Sequence, residues 1–156
     1  MSESADVRII LDEREIRRLT DQLFILTDRK EWSAAQALFA EGEIEVDMSS
    51  LAGGGAVRMT AAQLFAGFAA GLHAKKASHH MTTNYDIEID GNSATVWAQG
   101  YAWNRVAGLE GGSDLWETWG NYRLAFRRST AGWRITSFGY FAKFNRGNES
   151  VRTHSA

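Results

Sequence analysis

Apolar residues repeat with two different periods along the chain, and the change of period divides it into a helical half and a strand half. Over residues 7–27 the period is close to 3.6 and charged side chains take the opposite face, which predicts an amphipathic helix. Its apolar stripe consists of Ile9, Ile16, Leu19, Leu23, Phe24 and Leu26. From about residue 82 the period falls to two, which is typical of β-strands.

Two further helices are predicted before that change. Asp28 is a good N-cap residue for a short second helix, and Glu31 three positions later completes a capping-box pattern. Thr60 is placed to cap a third helix over residues 61–74, which carries Phe68 on its apolar face.

The predicted strands point to an α+β fold. Residues 43–47 alternate as a short strand, and a flexible glycine-rich loop follows it. The later strands form a meander of antiparallel hairpins, with turns at DGNS and STAG. The chain of 156 residues suits one domain, 1–156, with a core at about 8–148 and a frayed tail at 149–156.

The strands carry bulky apolar side chains on both faces, as Trp97, Tyr101 and Trp103 share one face of their strand. A sheet with one solvated face would alternate more cleanly between apolar and polar residues. We therefore expect helices to cover one face and another subunit to cover the other, in a homo-oligomer such as a dimer or trimer.

Composition excludes several classes of function. A net charge of −2 and a pI near 6.1 argue against a nucleic-acid partner. The absence of cysteine excludes disulfides, a thiolate nucleophile and zinc–thiolate sites. The first residues lack the pattern of a secretory signal, and no apolar run approaches the roughly 20 residues that cross a bilayer. We expect a cytoplasmic protein without a membrane partner.

Several short motifs occur in an order and spacing that resemble a known family. They are DRKEWSAAQALFAEGEIEVDMSSLAGG, SHHMTTN, IDGNSATV, GNYRLAFRRSTAGWRI and a closing GN. The sequence resembles the SnoaL-like branch of the nuclear-transport-factor-2-like (NTF2-like) superfamily over about residues 8–148. The resemblance implies a curved antiparallel sheet wrapped around three N-terminal helices, forming a cone with one apolar pocket. Relatives include ketosteroid isomerases, polyketide cyclases and scytalone dehydratases, and also non-catalytic proteins.

Scytalone dehydratases offer the nearest functional parallel. Their helix-junction aspartate falls at Asp28, and their pocket histidine falls at His80. The tyrosine before that aspartate is Thr27 in this chain, and the tyrosine after the first-strand aspartate is Met48. Their strand asparagine falls near Tyr122, and the region of a second histidine holds Trp103, Asn104 and Arg105. The Asp–His core is kept, whereas the phenols are lost or moved.

The histidine pair at residues 79 and 80 carries the candidate chemistry. An imidazole accepts and donates protons near neutral pH, and a carboxylate such as Asp28 would orient it. The alternative is that Asp28 caps the second helix and that His80 lies in solvent. His79 points to the opposite face and is expected at the surface or in a subunit interface. Asn84 shares the face of His80, but only a β-bulge before Ile87 lets both His80 and the buried isoleucines face inward.

The other candidate site residues are aromatic or acidic. Tyr101, Trp103, Trp119 and Tyr122 are expected to line or flank the pocket together with Phe24 and Phe68, with the alternative that several are core or interface residues. Asp47 is either a second pocket acid or a strand-end aspartate bonded to its own turn. No third ligand is spaced to form a metal site with the two histidines.

These observations lead to one hypothesis with one alternative. The chain is expected to be a cofactor-independent lyase or isomerase that acts on a small hydrophobic substrate, with an aromatic one favoured. His80 would be the acid–base residue, Asp28 its partner, and Tyr122 and Asn84 hydrogen-bonding groups. The alternative is a non-catalytic binding or assembly module of the same fold.

Overall fold

The computed structural model describes residues 3–155, and residues 1–2 and 156 of the predicted domain lie outside this range. The chain folds into five helices and six strands within the described range. The helices are α1 (Glu3–Asp28), α2 (Trp32–Gln36), α3 (Ser49–Ala52), α4 (Ala61–Gly71) and α5 (Glu149–Thr153). The strands are β1 (Glu43–Asp47), β2 (Val57–Thr60), β3 (Lys76–Asp90), β4 (Ser93–Val106), β5 (Leu115–Ser129) and β6 (Gly132–Gly147).

The strands form one curved, unclosed sheet in the order β2-β1-β6-β5-β4-β3. The expected antiparallel meander is confirmed, because β3 to β6 pair with their sequence neighbours in antiparallel register. The sheet as a whole is mixed rather than antiparallel, since β1 runs parallel to β6. The α+β class and the N-terminal helices of the cone are confirmed.

Helix α1 lies across the inner face of the sheet. Ile16, Leu19 and Leu23 are buried there, as the apolar stripe predicts. Ile9, from the same stripe, is 47% exposed because the first turns of α1 are not covered by the sheet. None of the helices within residues 3–155 is both long and apolar enough for a bilayer crossing.

A bulge in β3 decides which side chains face inward. The register with β4 shifts between Thr83 and Asp86, and Asn84 takes a left-handed φ of 52°. Before the bulge His80 is half-buried on the inner face, and after it Ile87 and Ile89 are the inward residues. The β-bulge that the sequence predicts is therefore confirmed. It keeps the inward-facing side chains on the same face of the sheet before and after the irregularity.

Several local predictions are confirmed and others are wrong. The Thr60 side chain accepts a hydrogen bond from Gln63 N in a capping box at the start of α4, as expected. Asp28 does not cap α2, whose N-cap is Glu31 and makes no side-chain bond. The glycine-rich loop contains the short elements α3 and β2, and β3 begins at Lys76 rather than near residue 82.

The predicted frayed tail is wrong for residues 149–153, which form α5. Val151 is fully buried against Val106 and Trp116, and this contact anchors the helix. Asn148 caps α5 by accepting a hydrogen bond from Ser150 N. Val151 is the only apolar residue in the sequence 149–155, so a local pattern does not predict a packed helix.

Candidate active site

A cavity of about 250 Å³ lies between the inner face of the sheet and helices α1 and α4. Its wall is mainly apolar and includes Leu23, Phe24, Phe68, Leu72, Tyr122 and Phe138. An apolar cavity of about 150 Å³ in another protein holds benzene, so this one has room for a ring with substituents or for a small bicycle. The expected apolar pocket is present, and Phe24, Phe68 and Tyr122 line it as predicted.

His80 lines this cavity, and its ring is hydrogen-bonded to Asp28, the last residue of α1. His80 Nδ1 lies 2.6 Å from Asp28 Oδ1, and the backbone N–H of His80 donates to Asp28 Oδ2 at 2.8 Å. Ser78 Oγ donates to Asp28 Oδ1 at 2.9 Å. These bonds hold the carboxylate against β3. Asp28 therefore contacts His80 directly, as the family resemblance implies.

The electrostatics of this pair favour an ionised Asp28. Burial alone would raise the pKa of the Asp28 carboxyl, but the hydrogen bonds and charge of His80, together with Ser78, bring that pKa below its usual range. An ionised carboxylate accepts hydrogen bonds only, so His80 Nδ1 is the donor and carries a proton. The other ring nitrogen, Nε2, is then free to accept a proton when the ring is neutral.

Tyr122 packs beside this pair as a buried phenol. Its ring lies 4.4 Å from that of Phe24, centroid to centroid, and covers Gly100, where a Cβ atom would come within 2.3 Å of the Tyr122 ring. Burial raises the pKa of Tyr122 well above its usual value, and the nearby Tyr140 and Asp28 raise it further. Tyr122 therefore stays protonated and is a hydrogen-bond donor.

Comparison with known proteins identifies the family. The sequence matches the SnoaL-like domain family over residues 8–139. The chain belongs to this family. A search of curated protein sequences finds no match to this SnoaL-like chain.

Solved structures share the fold of this SnoaL-like domain at low sequence identity. The Kfla4162 protein from Kribbella flavida is 24% identical, with a TM-score of 0.83 over 88% of this chain and 95% of that one. A proposed scytalone dehydratase from Novosphingobium aromaticivorans is 15% identical, with a TM-score of 0.75 over 94% and 92% of the two chains. The hexachlorocyclohexane dehydrochlorinase LinA-type3 from Novosphingobium barchaimii is 11% identical, with a TM-score of 0.73 over 97% and 99%. Other neighbours are named NTF2-like, so the fold is that of the NTF2-like proteins.

Two predicted polar site residues lie away from the cavity of the SnoaL-like domain. Asn84 is exposed at the bulge, where its Oδ1 accepts a hydrogen bond from Thr83 Oγ1. Asp47 accepts hydrogen bonds from the backbone N–H and the hydroxyl of Ser49, at 3.0 and 2.5 Å. The strand-end alternative is thus confirmed for Asp47, and neither residue lines the cavity.

The placement of three predicted aromatic residues in the pocket is wrong. Tyr101, Trp103 and Trp119 lie on the outer face of the sheet: Trp103 stacks on His79, and Trp119 contacts both Tyr101 and Phe144. Tyr101 and Trp103 face outward because Ala102, the residue between them, points to the cavity. Trp119 lies opposite Tyr101 on the neighbouring strand and shares its face. His79 is half-exposed on this outer face, as expected.

Sequence reasoning missed other cavity residues, including Met48, Asn104, Trp116, Thr118, Tyr140 and Arg152. Strand alternation was the signal for Asn104, because it shares the face of Ala102 rather than that of Trp103. Thr118 Oγ1 and Tyr140 Oη are 2.8 Å apart and form a polar spot on the wall. Arg152 reaches the cavity from α5, which no local pattern predicted.

Proposed function

We propose that this SnoaL-like chain is a cofactor-independent lyase or isomerase that acts on a small hydrophobic, aromatic substrate. One observation carries the proposal: the imidazole of His80 lines an apolar cavity while its Nδ1 is hydrogen-bonded at 2.6 Å to the partly buried carboxylate of Asp28. A histidine oriented in this way by a carboxylate is suited to general base catalysis.

The reaction begins with a proton transfer to His80. Nε2 accepts a proton from a carbon next to a substrate carbonyl, and the C–H electron pair forms an enolate. In an elimination, those electrons form the C=C bond while a leaving group departs from the neighbouring carbon, and the imidazolium returns its proton to a departing hydroxide as water. In an isomerisation, the imidazolium returns the proton to a different carbon. Asp28 stabilises the imidazolium in both cases.

The surroundings of the dyad support this chemistry. A substrate bound against the mainly apolar wall would displace water from the dyad, which strengthens the attraction between Asp28 and an imidazolium. Tyr122, which stays protonated, is available to donate a hydrogen bond to a substrate oxygen. The names of two neighbours denote eliminations, of water in the scytalone dehydratase and of hydrogen chloride in the dehydrochlorinase.

Two small bicyclic ketones test the proposal. The exchange of the C2 protons of 1-tetralone with D₂O, followed by NMR, measures proton abstraction alone. The conversion of 3-hydroxy-1-tetralone to 1-naphthol and water, followed by naphthol fluorescence, measures elimination. We expect the chain to accelerate at least the first reaction, and His80→Ala to lower the rate by about 10²–10⁴-fold.

The matched control is His79→Ala, which removes the neighbouring histidine from the outer face. We expect it to keep the wild-type rate, since its Nδ1 is 3.9 Å from Asp28 Oδ2, beyond hydrogen-bonding distance. A chain that binds 1-tetralone but exchanges its protons equally with and without His80 would be a binding module, the alternative function of this fold.

A further inference from the structure

Asn104 places an unsatisfied polar group at the cavity. It lies on the inner face of β4 and lines the cavity, and its Oδ1 is buried without a hydrogen-bond partner among the described residues. Leaving a buried polar group unpaired destabilises a fold by roughly 1–3 kcal/mol. A leucine of similar size would avoid that cost, so the fold itself gives no reason for an amide at this position.

The sheet sets the distance between Asn104 and His80. In the register of β3 with β4, His80 lies opposite Ala102, and Asn104 is the next inward residue along β4. Diagonal neighbours of this kind are about 7–8 Å apart in an antiparallel pair. That separation accommodates a carbon that gives its proton to His80 and an oxygen two bonds away that contacts Asn104.

The amide has a donor side and an acceptor side, and the two are not equally accessible. Oδ1 is enclosed by the protein, whereas Nδ2 is less deeply enclosed and makes no hydrogen bond to another described residue. The NH₂ group is therefore the part of the amide that is available to a molecule in the cavity, and it carries two donors.

We propose that Asn104 donates a hydrogen bond to the carbonyl oxygen of the substrate, the atom that gains negative charge when His80 removes the neighbouring proton. This inference rests on the proposed function and defines the substrate class as a small cyclic ketone, or a related carbonyl compound, with an acidic C–H next to the carbonyl. Donors aimed at a developing oxyanion lower the barrier of such a step because they need no reorganisation.

The experiment compares two ligands that differ by one oxygen atom: 1-tetralone, which has the carbonyl, and tetralin, which lacks it. Binding is followed by quenching of tryptophan fluorescence, since Trp116 lines the cavity. Asn104→Asp keeps the shape of the side chain and removes its N–H donors, and Asn104→Leu removes all polarity. Asn121→Leu, on the outer face of β5, is the matched control.

We expect the unaltered chain to bind 1-tetralone about five- to tenfold more tightly than tetralin, as one good hydrogen bond allows. Both Asn104 variants are expected to lose this preference without weaker binding of tetralin, and Asn121→Leu is expected to keep it. Asn104→Leu is also expected to match or exceed the wild-type Tm, which a structural amide would not allow.

Three results would overturn the inference: an Asn104→Asp variant that keeps the preference, an unaltered chain that binds the two ligands equally, or one that binds neither. The proposed function fails in a different way. A chain that binds 1-tetralone through Asn104 but does not exchange its C2 protons would refute catalysis by His80 and leave the ligand assignment standing.

Discussion

At the scale of single residues, the Asp28 carboxylate has two effects on His80. It accepts a hydrogen bond from Nδ1–H, which leaves Nε2 of the neutral ring without a proton, and it offsets the positive charge of an imidazolium. Its own position is set by two further hydrogen bonds, from Ser78 and from the backbone of His80. Asp28 is therefore a positioning residue that acts through His80.

Asp28→Asn tests this role. The amide keeps the shape of the carboxylate, but its NH₂ group favours the wrong tautomer of His80 and it carries no charge. We expect proton exchange of 1-tetralone to fall by about 10²–10⁴-fold while 1-tetralone still binds. Asp47→Asn changes an aspartate that is hydrogen-bonded to Ser49 away from the cavity, and it should leave the rate unchanged. Equal rates for Asp28→Asn and the wild type would rule out the orienting role.

At the scale of elements, α5 closes one end of the cavity and is held by contacts from distant parts of the chain. His73 Nε2 and His154 Nδ1 are 2.9 Å apart, and Lys76 Nζ donates to the backbone carbonyl of Arg152 at 3.0 Å. The histidine bond requires one ring nitrogen without a proton, so it is lost when both rings are protonated. The attachment of α5 should therefore depend on pH.

The sign of that dependence follows from His73. Burial lowers the pKa of His73 below 6.5, and the positive charges of Lys76, His154, Lys30 and Lys75 lower it further. When α5 detaches, His73 loses the cover of that helix and the nearby charge of His154, so its pKa rises towards its ordinary value and it takes up a proton more readily. Its contribution is fully present above pH 6.5 and is lost as the pH falls through that value towards the lowered pKa.

Hydrogen exchange measures this effect directly. We expect the amides of α5 to lose protection between pH 7 and pH 5, after correction for intrinsic exchange rates. His73→Asn removes the titrating group and should reduce the pH dependence, whereas His79→Asn, at an exposed histidine, should not change it. Protection of α5 that is the same at both pH values would contradict the assignment to His73.

At the scale of the whole molecule, the outer face of the sheet carries large apolar side chains that are exposed to solvent. Met81, Trp97 and Phe144 are 55%, 41% and 57% exposed on it. Large exposed apolar patches of this kind mark interaction surfaces. We propose that this face is the interface of the homo-oligomer that the sequence leads us to expect.

Sedimentation velocity tests that interface. We expect a dimer or trimer at micromolar concentration, and dissociation towards monomers in Trp97→Glu or Phe144→Glu, because a charge in an apolar interface must be desolvated. Val57→Glu introduces the same charge at an exposed residue of β2 and should leave the assembly intact. A monomeric wild-type chain would contradict the prediction.

The sequence by itself determined those features that depend on neighbouring residues. The stripe of α1, the capping box at Thr60, the hairpin turn after Asp90 and the short strand β1 all follow from local spacing and local hydrogen bonds. The family resemblance added the cone and the pairing of Asp28 with His80, which are 52 residues apart and which no local pattern joins.

Only the tertiary structure decided which face of each strand is inside. Alternation separates Tyr101 and Trp103 from Asn104, but it does not say which of the two sets faces the helices. The prediction that the aromatic residues line the pocket is wrong for this reason, since they lie on the other face. Helix α5 was missed for the same reason, since a single buried residue, Val151, holds it to strands far away in sequence. Burial is a property of the packed chain, and a period of two leaves the choice of face to long-range contacts.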